Sequence, residues 1–259
     1  MRTTTRKMLN KVPEVTLYFW VIKIMCTTVG ETAADYLNDN LGFGLTWTTV
    51  VTGVLLAVLL VIQFRLQKYV PPVYWLAVVF ISVFGTLITD NLTDRFNVSL
   101  VISTIVFAIA LAATFAAWYR SERTLSIHSI VTTRREAFYW LAILFTFALG
   151  TAAGDLFAEK LALGFWVSAL IFGGVIALIT AAYFWLAMDA VLAFWLAYIL
   201  TRPLGASIGD GLSQSSKNGG LGLGTTGTSY LFLGCILALV VFLSLTKRDQ
   251  TPADVATPA

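Results

Sequence analysis

Residues 20–35 read WVIKIMCTTVGETAAD, residues 75–90 WLAVVFISVFGTLITD, residues 140–155 WLAILFTFALGTAAGD and residues 195–210 WLAYILTRPLGASIGD. All four share the pattern Trp-x9-Gly-x4-Asp without insertion or deletion: Trp20–Gly30–Asp35, Trp75–Gly85–Asp90, Trp140–Gly150–Asp155 and Trp195–Gly205–Asp210. Successive copies lie 55, 65 and 55 residues apart, so one unit is used four times, in two pairs. A carboxylate that returns at the same point of an apolar unit is a functional signal.

The sequence around these copies is membrane-like. Of 259 residues, 58% are hydrophobic and 12% charged, half the load of a soluble domain, which carries about a quarter. Mean hydropathy is +0.82. Apolar runs of about twenty residues recur along the whole chain, the length a bilayer crossing needs. They predict eight spans, over 15–36, 43–64, 72–92, 98–119, 136–157, 162–184, 188–210 and 226–246. The expected fold is an all-α integral membrane protein whose eight transmembrane helices form four helical hairpins. A two-span unit returns the chain to its starting side, so the hairpins run parallel, related by an axis along the membrane normal.

Twelve of the Lys and Arg residues fall on one side of these spans: Arg2, Arg6, Lys7, Lys11, Arg65, Lys68, Arg120, Arg123, Arg134, Arg135, Lys247 and Arg248. Three fall on the other, Arg95, Lys160 and Lys217, while Lys23 and Arg202 lie within spans. The positive-inside rule then places both termini in the cytoplasm. The net charge of +3 is thus a topology signal and predicts no nucleic-acid partner. The basic start lacks a small-residue cleavage site behind a short apolar core, so the first span is expected to be retained. Two halves follow, 1–130 and 131–248, with a disordered tail over 249–259. The linker 120–136 is expected to lie along the headgroups, and the Gly-rich stretch 217–230 to be a flexible loop.

At about 100° per residue, positions 20, 27, 31 and 35 share a slowly drifting helix face. That face carries Thr27, Glu31 and Asp35 in the first copy; Ser82, Thr86 and Asp90 in the second; Thr151 and Asp155 in the third; and Arg202 and Asp210 in the fourth. Four residues beyond each Asp stand Asp39, Asp94, Glu159 and Gln214. Each Asp sits about 22 Å beyond its Trp, near the C-terminal end of its helix, where the helix dipole disfavours an anion. Four such anions need a cause beyond helix termination. Gly30, Gly85, Gly150 and Gly205 are the residues that let helix backbones approach closely. Trp20, Trp75, Trp140 and Trp195 fit an interfacial belt as well as a functional role.

Arg202 lies well inside a span, where an unpaired guanidinium is costly, and a neighbouring copy's Asp is its expected partner. Lys23 is expected to snorkel to the interface. Glu14 and Asp189 read as interface groups, His128 as a solvated loop residue, and Cys26 and Cys235 as packing residues.

At the four Trp positions the chain resembles a family of bacterial inner-membrane proteins built from four tandem copies of a two-helix repeat of unknown function with a characteristic tryptophan. The resemblance covers about residues 12–246. It implies the eight-span architecture and an inner-membrane location, and it implies no reaction.

Function must come from the site. Carboxylates with nearby hydroxyls are hard oxygen ligands, and no His, Cys or Met accompanies the four Asp. The expectation is transport of a small cation, a hard divalent metal such as Mn²⁺ or Mg²⁺, held by Asp35, Asp90, Asp155, Asp210 and Glu31. Alternatives are proton-coupled transport of a small organic solute, with Arg202 on a substrate carboxylate, and a structural or partner-binding membrane protein. No Ser-His pair or metal-ligand His motif supports an enzyme, and no resident cofactor is expected. The partners are the bilayer and the small cation or solute. Whether the four Asp surround one axis or form two sites stays open at this level.

Overall fold

A computed structural model describes residues 10–40, 42 and 44–250, without the side chains of Asp39, Asn40 and Glu159. Arg2, Arg6, Lys7 and the tail over 251–259 lie outside the described residues. The apolar runs become eight long helices: α1 (Leu17–Asp35), α2 (Gly44–Arg65), α3 (Pro71–Asp90), α4 (Leu100–Glu122), α5 (Thr133–Asp155), α6 (Phe165–Trp185), α7 (Ala190–Ser213) and α8 (Gly224–Thr246). No strand occurs among the described residues.

Local chemistry sets the starts. Thr16 and Thr132 hydroxyls accept the Phe19 and Arg135 N–H groups, and the Asp189 carboxylate accepts the Leu192 N–H at 2.9 Å, so α1, α5 and α7 begin on side-chain caps. Helix α3 begins on Pro71-Pro72, where a missing N–H costs nothing. Among the described residues, seven helices are long and apolar enough to cross a membrane. Helix α1 is the exception, because Lys23, Glu31, Asp35 and three threonines (Thr27, Thr28, Thr32) dilute its apolar sequence.

The odd helices close a ring. Helix α1 packs on α3, α3 on α5, α5 on α7 and α7 on α1. The even helices form an outer layer, with apolar windows only 17–28% buried, against 56–67% for α3, α5 and α7. Each even helix packs on the odd helix of the following copy rather than its own: α2 on α3, α4 on α5, α6 on α7, and α8 back on α1. The sequence unit is a hairpin, but the packing unit straddles two hairpins. The halves 1–130 and 131–248 are therefore parts of one closed ring, joined at both α3–α5 and α7–α1.

The repeated glycines make the ring tight. Gly30 faces Ser82, Gly85 faces Phe147, Gly150 faces Arg202 and Gly205 faces Thr27. In every case the partner stands three residues before the glycine of the next copy, so one knob-into-gap contact runs cyclically round the ring. A Cβ added to Gly85 would lie 2.7 Å from Phe147 Cβ, closer than real side chains approach. The backbones come near enough for hydroxyls to bond across the seams: Thr28 donates to the Gly205 carbonyl at 3.0 Å and Thr89 to Ala148 at 3.1 Å.

Three segments depart from expectation. The linker 120–136 does not lie outside the fold: Ile127 and Ile130 are buried in the core, and Trp195 Nε1 donates to the Leu125 carbonyl at 2.9 Å. Alternation of apolar and basic residues here separates a core face from an exposed one. The stretch 217–230 is a tied turn and not a free loop. Leu221, Gly222 and Leu223 N–H groups bond the Gly211, Gln214 and Leu212 carbonyls at the end of α7, and Gly219 and Gly222 supply the left-handed backbone the turn needs. Of the tail expected over 249–259, Asp249 and Gln250 are described, and Asp249 docks against Tyr69.

Candidate functional site: a carboxylate-mouthed axis closed by Arg202

Arg202 lies at the centre of the ring and touches every odd helix. Its guanidinium donates to the Glu31 carboxylate at 2.7 Å and to the Thr27 carbonyl at 3.0 Å on α1. It also donates to the hydroxyls of Thr86 on α3 and, at 2.7 Å, Thr151 on α5. Glu31, Thr86 and Thr151 are the residue after the repeated glycine in their copies, so three equivalent positions converge on the side chain of the fourth. Arg202 is fully buried and Glu31 nearly so. A buried guanidinium is tolerable only with such partners. The partner is Glu31 rather than an Asp. Arg202 stands eight residues before Asp210, about 12 Å down the helix, level with the Glu31 layer and below the carboxylates of the motif.

One turn further along each odd helix stand Asp35, Asp90, Asp155 and Asp210, all half-buried where the residues below them are fully buried. Asp90 is within Coulombic range of Glu31, Asp155, Asp35 and Asp94. Asp210 is within range of Glu31, Asp35, Asp155 and Arg202. The four Asp therefore share one mouth above the Arg202–Glu31 pair. Among the described residues no three His, Cys, Asp or Glu side chains are gathered closely enough to hold a metal ion, so the mouth is a ring of carboxylates and not a coordination cage.

The supporting residues divide. Thr27, Thr86 and Thr151 belong to the Arg202 cluster. Ser82 is buried against Gly30 and its hydroxyl has no partner. Asp94 is exposed, accepting from Thr93 at 3.0 Å. The side chains of Asp39 and Glu159 lie outside the described residues. Directly after Asp35, Asp90 and Asp155 the helix widens into five-residue π turns, Tyr36–Asn40, Asn91–Arg95 and Leu156–Lys160. After Asp210 the α-helix continues to Ser213, where the folded-back 217–223 turn takes its last carbonyls. Wide turns of this kind recur at functional sites, and nothing in the apolar periodicity announces them.

Below Arg202 the axis turns apolar. Lys23 does not snorkel: its Nζ is fully buried without a hydrogen-bond partner, 3.9 Å from the Phe147 ring centroid and 4.3 Å from that of Tyr198. Lower still lies a cyclic aromatic girdle. The residue before each Trp is aromatic, Phe19, Tyr74, Tyr139 and Phe194, and each packs on the Trp of the next copy. The pairs are Phe19–Trp75 at 5.7 Å, Tyr74–Trp140 at 5.5 Å, Tyr139–Trp195 at 6.3 Å and Phe194–Trp20 at 5.6 Å. Tyr74 and Tyr139 hydroxyls meet between the adjacent helices α3 and α5. The Trp residues thus pack between copies, with Trp75, Trp140 and Trp195 buried and Trp20 half-buried. The aromatic-Trp doublet in all four copies was the sequence signal for this layer.

Both described chain ends gather beneath the girdle. Lys11 is completely buried; its Nζ donates to Glu136 at 2.5 Å and to the last carbonyls of α2, Gln63 and Phe64, at 3.2 and 3.1 Å. The Glu14 N–H bonds the Asp249 carbonyl at 2.9 Å, and the Tyr69 hydroxyl donates to the Asp249 carboxylate at 2.6 Å. Lys11 is therefore a core anchor at the end where the basic residues gather. Glu14 keeps an exposed pairing with His128 at 3.6 Å.

A family model described as Repeat of Unknown Function (DUF347) matches this chain four times, at residues 18–69, 73–124, 138–188 and 193–249. Each match begins just before a Trp of the motif and takes in one odd helix and the even helix after it. No curated protein and no solved structure matches the chain.

Proposed function

We propose that this chain, which belongs to the DUF347 repeat family, is a multi-pass membrane protein that moves a small hard cation along the axis of its odd-helix ring. The outer layer supports the membrane reading: α2, α4, α6 and α8 present apolar side chains outward on most of their length. The Lys and Arg distribution supports placing the Lys11–Asp249 end in the cytoplasm of a bacterial inner membrane and the Asp mouth outside, with the hairpins parallel.

The observation that carries the reading is the stack of charges on one axis. A mouth of four carboxylates concentrates cations, and the guanidinium below it is already held by Glu31. The oxygen ligands offered to an entering cation are carboxylates and hydroxyls, a set suited to Mn²⁺ or Mg²⁺ retaining part of its water. To go further it must take Glu31 from Arg202, so the ion pair acts as the gate. In proteoliposomes, Asp90→Asn and Asp155→Asn should each abolish Mn²⁺ or Mg²⁺ flux. Unchanged flux in both variants overturns the proposal. Proton-coupled movement of a small organic acid is the second reading, favoured by the basic side chains Arg202 and Lys23 on the same axis; metal-independent flux that collapses with the proton gradient identifies it.

A further inference from the structure

Two grooves open sideways between the outer helices, and the repeat relates one to the other. The first, about 630 Å³, lies between α4 and α7; the second, about 730 Å³, lies between α6 and α1. Leu111, Phe115 and Tyr119 line the first from its outer helix, and their counterparts 65 residues on, Ile176, Thr180 and Phe184, line the second. Asp189, Trp195 and Ile199 line the first from the inner ring. The same positions of copy one, Glu14, Trp20 and Ile24, line the second. Phe115 packs on Trp195 at 4.9 Å, and its counterpart Thr180 is shorter, in keeping with the larger second groove.

The other two equivalent places are closed by the chain itself. Between α2 and α5, the Lys11 ammonium bonds the last α2 carbonyls and the Glu136 carboxylate, and Val12 joins the core. Between α8 and α3, which touch directly, Asp249 docks against Tyr69. One of the four places is thus already filled by an ammonium seated on a carboxylate, at the end opposite the Asp mouth.

Each open groove carries one acid and one base at that same end: Asp189 with Arg123 in the first, Glu14 with His128 in the second. Arg123 makes no ion pair among the described residues. The Glu14–His128 pair is loose, at 3.6 Å, and open to solvent. Elsewhere the linings are mostly aliphatic and aromatic. In a bilayer such a groove faces hydrocarbon, and left empty it forfeits the packing contacts of its lining. Both volumes fall in the roughly 300–1,000 Å³ range of sites that hold small molecules. The rim selects the head group. An anionic head meets the base but also the acid, whereas a head with a phosphate and an ammonium matches both signs.

We propose that each open groove seats one acyl chain of a phosphatidylethanolamine, with its phosphate on Arg123 or His128 and its ammonium on Asp189 or Glu14. The two lipids complete a ring of outer seals that the chain supplies itself at α2–α5 and α8–α3. This rests on the membrane placement above and not on transport.

The test counts bound lipid. The protein is reconstituted in equal amounts of palmitoyl-oleoyl phosphatidylethanolamine and phosphatidylglycerol, re-extracted in mild detergent, and weighed by native mass spectrometry. The wild type should keep two phosphatidylethanolamines per chain and retain this lipid several-fold over phosphatidylglycerol. Ala112→Trp, which fills the first groove, and Thr180→Trp, which fills the second, should each remove one lipid, and the double variant both. Ala117→Trp, on α4 outside the groove lining, should keep both. The proposal is overturned by a wild type that keeps no phosphatidylethanolamine, by equal retention of the two lipids, or by a double variant that still keeps two. A dimer free of phospholipid also overturns it, since a second copy then covers the grooves. A chain that stays in solution without detergent sinks the membrane placement itself.

Discussion

Arg202 shows how much a single buried charge can organise. Its side chain lies on Gly150, and its nitrogens reach the three other odd helices, so α1, α3, α5 and α7 meet at one guanidinium. Removing one partner of a buried pair strands the other, at a cost of about 3–5 kcal/mol. Arg202→Met should therefore lower unfolding stability in detergent by about that amount, and Arg202→Met with Glu31→Gln should recover most of it. A double variant as unstable as the single would show that the pair is not the source. The need for a partner was legible in the sequence, because a mid-span arginine is intolerable alone. The identity of the partner was not. Glu31 and Asp35 are one turn apart on one face, and choosing between them requires the relative height of α7 and α1, which periodicity does not contain.

At the scale of elements, the glycines separate into those that hold the ring and those that do not. Gly205 meets Thr27 and the Ile24 carbonyl, a side chain and a backbone atom that cannot both withdraw. Gly205→Leu should destabilise by more than the roughly 1–3 kcal/mol typical of an overfilled core, because backbones must separate. Gly174 in α6 has nothing within 4 Å of an added Cβ. There Gly174→Ala should be neutral or stabilising by up to about 1 kcal/mol, the helix-propensity difference. Thermal melts of the two variants check both signs. The eight helices could be read from apolar runs and caps, since both are local. Two element-scale features could not. The π turns depend on how helix ends are held, and apolar runs do not say which of its two sequence neighbours an even helix packs on, nor that α8 returns to α1. The aromatic-Trp doublet was visible in every copy, but only the ring contacts distinguish a girdle between copies from a belt at the interface.

At the scale of the whole molecule, the end opposite the mouth is sealed by segments from the entire chain: Lys11 on Gln63 and Glu136, Tyr69 on Asp249, Ile127 and Ile130 under the girdle. Lys11→Met leaves Glu136 without its cation, and should raise maleimide labelling of a cysteine placed at Ile130 several-fold over the Lys11-containing parent. The same seal has a pH dependence. Burial pushes the Asp249 carboxyl above the ordinary carboxylate range, against the opposing pull of the Tyr69 hydroxyl. The folded state thus holds that proton more tightly than the unfolded chain. Its contribution to stability is complete below the unfolded carboxylate value of about 3.9 and is lost as pH rises through the folded value. Asp249→Asn keeps an acceptor for Tyr69 and should flatten this part of the stability profile, as melting curves from about pH 4 to about pH 8 will reveal.

The closure of α8 onto α1 has one more consequence. A linear array of repeats tolerates gain or loss of a unit, since each touches only its neighbours and the ends are covered by special caps. Here the last outer helix is the covering of the first inner one, and the fourth glycine receives a side chain from copy one. The array counts itself: a fifth copy would have no gap to enter, and a missing one would leave a glycine facing nothing. With the number enforced by geometry, the individual copies are free to diverge. Ser82, Phe147, Arg202 and Thr27 fill the four equivalent gaps with hydroxyl, aromatic and guanidinium side chains, and a lone arginine can serve all of them.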